Sequence, residues 1–171
     1  RVAQMAAKLA DVVGDTKVEV VDDLADAGSF DPKTNTIKLN SGLGVNPHAL
    51  LHEMTHAATS ATLADKDHPL TKQLTDLFES VKPTLGGTYG SKNVDEFVSE
   101  AMSNPEFQAR LEGITPTGEK VTALRRFLNH VGNFLRNLVG MPAKNIESAQ
   151  TEADRLVDDV LSPAPTFRDA N

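Results

Sequence analysis

The sequence predicts an α+β fold that is mostly helical. Two segments, residues 17–21 and 36–39, alternate as strands do, whereas apolar residues recur at helical spacing through most of the remaining chain. With 171 residues, of which 39% are hydrophobic, the chain is long enough to bury one core. We therefore predict a single domain over residues 1–161 and a flexible, proline-containing tail over residues 162–171.

The N-terminal part is predicted to contain one helix and a small sheet. Residues 2–13 carry apolar side chains at helical spacing, and residues 17–21 follow as a strand. Within residues 29–40, Asp31 and Asn35 supply turn chemistry, which predicts a hairpin. The strand and the hairpin together predict a small antiparallel sheet.

The rest of the chain is predicted to be a succession of helices. Asn46-Pro47 is typical of a helix start, because Asn caps the first turn and Pro needs no hydrogen-bond partner there. Gly140 and Pro142 are typical of a helix end. The predicted helices cover residues 47–63, 69–81, 94–102, 105–111, 117–139 and 146–161, with a Pro/Gly-rich loop at 82–91.

Composition and charge exclude several classes of function. The net charge of -7 and the pI of about 5.2 argue against nucleic acid and an anionic membrane surface as partners. No apolar run is long enough to span a membrane, and no signal peptide opens the sequence. The absence of Cys excludes thiolate metal sites. Because the first residue is Arg1, we interpret the chain as part of a longer polypeptide.

One short motif in the predicted helix 47–63 indicates a specific chemistry. His52-Glu53-Met54-Thr55-His56 has the pattern H-E-x-x-H. On a helix, His52 and His56 lie on the same face and can bind one metal ion. Glu53 lies beside that ion, where its carboxylate can accept a proton from water. The pattern predicts a zinc-dependent hydrolase.

A zinc site of this kind needs a third protein ligand. Thr59 and Thr62 occupy the positions where a metzincin has its Gly and its third His, so the ligand must come from elsewhere. Glu96 and Glu100 are four residues apart on a later predicted helix and share one face. Either can bind the metal while the other accepts a hydrogen bond from a ligand His. Spacing alone leaves both assignments open.

Tyr89 is the single tyrosine of the chain and lies in the Gly-rich loop before the helix that carries Glu96. Its phenol could donate a hydrogen bond to the oxyanion that forms when a carbonyl is attacked. The alternative is that Tyr89 is a half-buried core residue.

The order of these motifs resembles a known family. The H-E-x-x-H helix, followed by Tyr89-Gly90 and by the segment 95–101, Asp-Glu-Phe-Val-Ser-Glu-Ala, resembles the catalytic domain of anthrax lethal factor and its relatives. These are zincin metallopeptidases of the gluzincin type. The resemblance implies a zincin-like fold, Zn²⁺ as cofactor, Glu96 as third ligand, Glu100 as the partner of a ligand His, and Tyr89 as a catalytic residue.

The activity implied by the resemblance is hydrolysis of a protein or peptide, with Glu53 as general base. The continuation Thr55-His56-Ala57-Ala58-Thr59 is also similar to zincin-like domains of phage and mobile-element polyproteins. That similarity implies association with a virion or delivery into a host cell. The alternative function is a catalytically inactive zincin-fold module with a structural or interaction role in a larger phage or effector protein.

Overall fold

The computed structural model of the chain describes residues 13–138, and the predicted α+β, mostly helical architecture is confirmed there. The predicted helix 2–13 (except its last residue), the helix 146–161 and the tail 162–171 lie outside the described residues. The described elements are β1 (Lys17–Val21), β2 (Gly28–Asp31), β3 (Thr36–Asn40), α1 (Pro47–Ala64), α2 (Pro69–Leu85), a 3-10 turn (Tyr89–Ser91), α3 (Val94–Ser103), α4 (Pro105–Glu112) and α5 (Ala123–Leu138).

The sheet is mixed, so the prediction of an antiparallel sheet is wrong. The predicted hairpin is confirmed: β2 and β3 pair antiparallel, with Phe30 opposite Ile37, and Asn35 adopts a positive φ of 49° at the turn. β1 pairs with β3 instead of its chain neighbour β2, and it runs parallel, with Val18 opposite Ile37. A local pattern cannot reveal which edge of a hairpin a third strand will join, and that choice sets its direction here.

Buried apolar side chains form two clusters within the described residues. The sheet cluster joins β3 to α1, and the helical cluster joins α2, α3, α4 and α5. Phe97 lies at the centre of the helical cluster and packs against three other Phe rings at centroid distances of 5.6–5.9 Å. The buried members of the sheet cluster are Ile37, Leu39, Ala49, Leu51 and Met54.

Within the described residues, two helix boundaries differ from the predictions by more than one residue. α2 continues through Pro83 to Leu85 and ends at Gly86, which has a φ of 60°. Burial of Leu85 in the helical cluster favours this extra turn over the predicted loop. α5 begins at Ala123 and not at residue 117, because Gly118 has a φ of 81° and Thr122 accepts a hydrogen bond from the Arg125 amide. In the described part of the chain, no helix combines the length and apolar character needed to cross a membrane.

Candidate metal centre

Helix α1 presents the H-E-x-x-H residues toward α3. The side chain of Asn46 caps α1 by accepting a hydrogen bond from the Ala49 amide, and Pro47 occupies the first turn, as the sequence predicts. On one side of the helix Leu51 and Met54 pack into the sheet cluster. The side chains of His52 and His56 therefore emerge on the side that contacts α3.

Helix α3 supplies the two glutamates from the opposite side. Asn93 caps the helix by accepting a hydrogen bond from the Glu96 amide at 2.8 Å. Phe97 and Ala101 are fully buried in the helical cluster, so the neighbouring positions Glu96 and Glu100 face α1. As predicted, the two glutamates lie on the same face of the helix.

Three ligand-type atoms converge between the two helices. The Nε2 atom of His52 lies 3.1 Å from Oε2 of Glu96 and 3.2 Å from Nε2 of His56, and the latter lies 3.4 Å from the same Glu96 oxygen. Zinc bonds to N and O of about 2.0–2.1 Å give a tetrahedron with edges of about 3.3–3.4 Å. The three observed separations therefore fit one face of a tetrahedral zinc site. In a catalytic site of this geometry the fourth position would take water or substrate.

Glu100 contacts the other nitrogen of His52. Its Oε1 atom lies 3.1 Å from Nδ1 of His52 and 3.6 Å from Nε2 of His48. These three residues form a second group with metal-ligand chemistry, but it shares His52 with the first group. An imidazole that binds a metal through Nε2 keeps its proton on Nδ1, so the two groups are not independent sites. Glu100 is instead within hydrogen-bond distance of Nδ1, the nitrogen of His52 that faces away from His56 and Glu96.

Glu53 is buried, with 6% of its surface exposed, and it lies against strand β2. A Cβ atom on Gly28 would come within 2.7 Å of Cγ and 2.9 Å of Oε1 of Glu53. A residue with a side chain at position 28 would displace the carboxylate. The backbone of β2 therefore sets the position of the Glu53 carboxylate.

Tyr89 reaches the centre from the 3-10 turn. Its hydroxyl donates to Oε1 of Glu96 at 3.3 Å, and its ring meets the ring of His52 edge-on at 5.9 Å. The side chain is not a core residue, since 46% of its surface is exposed. The 3-10 turn can lie close to Phe107 of α4 because Gly90 has no side chain: a Cβ there would lie 2.5 Å from Phe107. Lys92 places its ammonium 3.5 Å from the centre of the Tyr89 ring.

Hydrogen bonds between the helices shift the pKa values of the ligand-type groups. Burial opposes a charge on His52, but hydrogen bonds to Glu100 and Glu96 outweigh it and raise the pKa of His52 to about 9. Burial likewise opposes a charge on Glu96, yet its bonds to His52 and His56 hold its pKa well below the usual range. The pKa of Glu100 is lowered too, because hydrogen bonds from His52 and Asn104 outweigh its burial. A cation placed among these groups would meet two ionised carboxylates and displace a proton from His52.

Burial raises the pKa values of two other side chains, Glu53 and Tyr89. It raises the pKa of Glu53 above the ordinary glutamate value, against the opposing charges of His56 and His52. It also raises the pKa of Tyr89 to about 12, together with the neighbouring charge of Glu96. Tyr89 therefore keeps its proton and remains a hydrogen-bond donor at neutral pH.

The structure brings together all six residues named from the sequence: His52, Glu53, His56, Tyr89, Glu96 and Glu100. Two further residues at the centre were missed. Asn104, which directly precedes the predicted helix 105–111, donates to Oε2 of Glu100 at 2.7 Å, and its i+4 spacing from Glu100 is a signal that could have found it. Gly28 contacts Glu53 across the fold, and no local pattern indicates that contact.

Comparison of the chain with protein-family models, curated proteins and solved structures found no match.

Proposed function

We propose that this protein is a zinc-dependent peptidase with a zincin-like fold of the gluzincin type. The observation that carries the proposal is the convergence of His52, His56 and Glu96 at separations that fit one face of a tetrahedral zinc site. His52, His56 and Glu96 would hold the ion. Glu100 would orient His52 through its Nδ1–H.

The chain's own residues supply the remaining chemistry. Bound zinc would lower the pKa of water toward about 7 and polarise a substrate carbonyl. Glu53 accepts a proton as water attacks and returns it to the leaving nitrogen, a role favoured by its raised pKa. Tyr89 is protonated, and its hydroxyl lies 3.3 Å from Oε1 of Glu96; during the reaction it would exchange that hydrogen bond for one to the developing oxyanion.

The position of β2 favours an extended peptide as substrate. Among the described strands β2 lies at the edge of the sheet, with only β3 as a neighbour. Gly28, at its beginning, is next to Glu53. An extended peptide that added to this edge by main-chain hydrogen bonds would pass the ligand-type residues. A peptide bond of such a strand would lie near Glu53.

The variant Glu53→Gln tests the proposal, because it keeps the size of the side chain and removes its ability to accept a proton. We expect unchanged zinc content and a loss of peptide cleavage of about 10²–10⁴-fold. Glu79→Gln, the same change at an exposed position of α2, is the matched control and should cleave as the wild type does. Zinc content by elemental analysis and cleavage of a peptide library are the measurements.

Two outcomes would contradict the proposal. Full cleavage by Glu53→Gln would remove Glu53 from the mechanism. Stoichiometric zinc without cleavage of any peptide by the wild type would support the alternative, a non-catalytic module on the same fold.

A further inference from the structure

Asn104 occupies the junction between helices α3 and α4 and uses both ends of its side-chain amide. Its Oδ1 atom accepts hydrogen bonds from the backbone amides of Glu106 and Phe107, at 3.0 and 3.2 Å, which caps α4. Its Nδ2 atom donates to Oε2 of Glu100 at 2.7 Å. Since backbone amides can only donate, they require Oδ1 on their side and so fix Nδ2 toward Glu100.

The carboxylate of Glu100 is held by one donor on each oxygen. Nδ1 of His52 contacts Oε1 at 3.1 Å, and the Asn104 amide contacts Oε2. His48 lies 3.6 Å from Oε1, too far for a normal hydrogen bond, and its side chain is half exposed. Among the hydrogen bonds of the described residues, the one from Asn104 therefore prevents the Glu100 carboxylate from rotating away from His52.

Orientation of Glu100 determines which nitrogen of His52 is available to a metal. While Nδ1–H donates to Oε1, Nε2 is the nitrogen that can give up its proton to a metal ion, and it faces His56 and Glu96. A rotated carboxylate would release the imidazole ring and permit the other tautomer. The hydrogen bond from Asn104 to Glu100 opposes that rotation. In the described part of the chain, Asn104 itself makes no hydrogen bond to the His52 imidazole or to the other ligand-type atoms.

We propose that Asn104 is a positioning residue of the metal centre: through Glu100 it fixes the ring orientation and tautomer of His52. The proposal rests on the metal site of the proposed function. It also gives one side chain two roles, because the residue that begins α4 orients the metal ligand on α1.

Asn104→Ser separates the two roles. Serine keeps an acceptor for the cap of α4 but has no amide to reach Oε2 of Glu100. We expect zinc affinity, measured by competition with a chromophoric chelator, to fall about tenfold while the metal-free protein stays folded by circular dichroism. Asn104→Asp also keeps the cap but places a carboxylate against Glu100, so its zinc affinity should fall further than that of Asn104→Ser.

The matched control is Asn46→Ser, the same substitution at the cap of α1. Asn46 caps through Oδ1 and donates to the Leu43 carbonyl, with no bond to Glu100, so its zinc affinity should equal that of the wild type. A double-mutant cycle adds the decisive readout. In the Glu100→Ala background, which leaves no acceptor for the Asn104 amide, Asn104→Ser should cause little further loss, because its effect passes through Glu100.

Each outcome of this experiment decides the proposal. Wild-type zinc affinity in Asn104→Ser, or an equal loss with and without Glu100, overturns it while leaving the zinc site intact. A wild-type protein that binds no zinc overturns the proposed function and the role of Asn104 together.

Discussion

Replacement of Gly28 by Ala should displace the proposed general base without touching a metal ligand. The added Cβ would lie 2.7 Å from Cγ of Glu53, whereas ordinary carbon–carbon contact is about 3.5–4.0 Å. The Glu53 side chain must therefore shift by about 1 Å, a misplacement that can reduce a catalytic rate about 100-fold. That loss corresponds to about 2.7 kcal/mol of activation free energy.

The assay compares peptide cleavage with zinc affinity in the same variants. We expect kcat of Gly28→Ala to fall about 100-fold and zinc affinity to stay at the wild-type level, because Glu53 is not among the three converging ligand-type residues. Gly42→Ala is the control: a Cβ there meets its nearest atom, Oδ1 of Asn40, at an ordinary 3.5 Å. Undiminished kcat in Gly28→Ala would refute the conclusion that β2 sets the position of the carboxylate.

Three further predictions concern the ligand-type residues and Tyr89. Glu96→Gln should weaken zinc binding in a chelator competition far more than Glu100→Gln, whose loss should be about 10–100-fold; the reverse order would make Glu100 the third ligand. Tyr89→Phe should lower kcat about 10²–10³-fold and leave zinc affinity nearly unchanged, and equal losses in both would indicate a structural role through Glu96. In the metal-free protein, the fold raises the pKa of His52 from 6.5, the value expected in the unfolded chain, to about 9. Between these two pH values the folded protein therefore binds one proton more than the unfolded chain. The free energy of unfolding in urea with EDTA should therefore fall as pH rises from about 6.5 to about 9, and a rise over that window would contradict the ion pairs of His52.

The parts of the centre that the sequence predicts depend on local spacing. His52 and His56 share a face of α1, and Glu96 and Glu100 share a face of α3, because residues four apart on a helix are neighbours. Asn46 caps the first of these helices as predicted. For such features the local pattern and the fold agree, so the residues could be named before their mutual distances were known.

The parts that the sequence does not predict depend on contacts between distant segments. The parallel pairing of β1 with β3 follows from the path of the chain between β1 and β2, which no alternation of residues encodes. Gly28 and Glu53 are 25 positions apart and meet only when β2 packs on α1. Pro83 argues locally for a helix end, but burial of Leu85 two residues later outweighs that preference.

The division of the core into two clusters has a consequence for cooperativity. The ligand-type histidines lie on α1, whose buried apolar residues mostly belong to the sheet cluster, and the glutamates lie on α3, whose buried apolar residues belong to the helical cluster. A metal ion held by His52, His56 and Glu96 would cross-link the two clusters through side chains alone. In the metal-free protein the ion pairs of His52 with Glu96 and Glu100 already join α1 to α3. Metal binding would strengthen this link and so raise the free energy of opening either cluster alone.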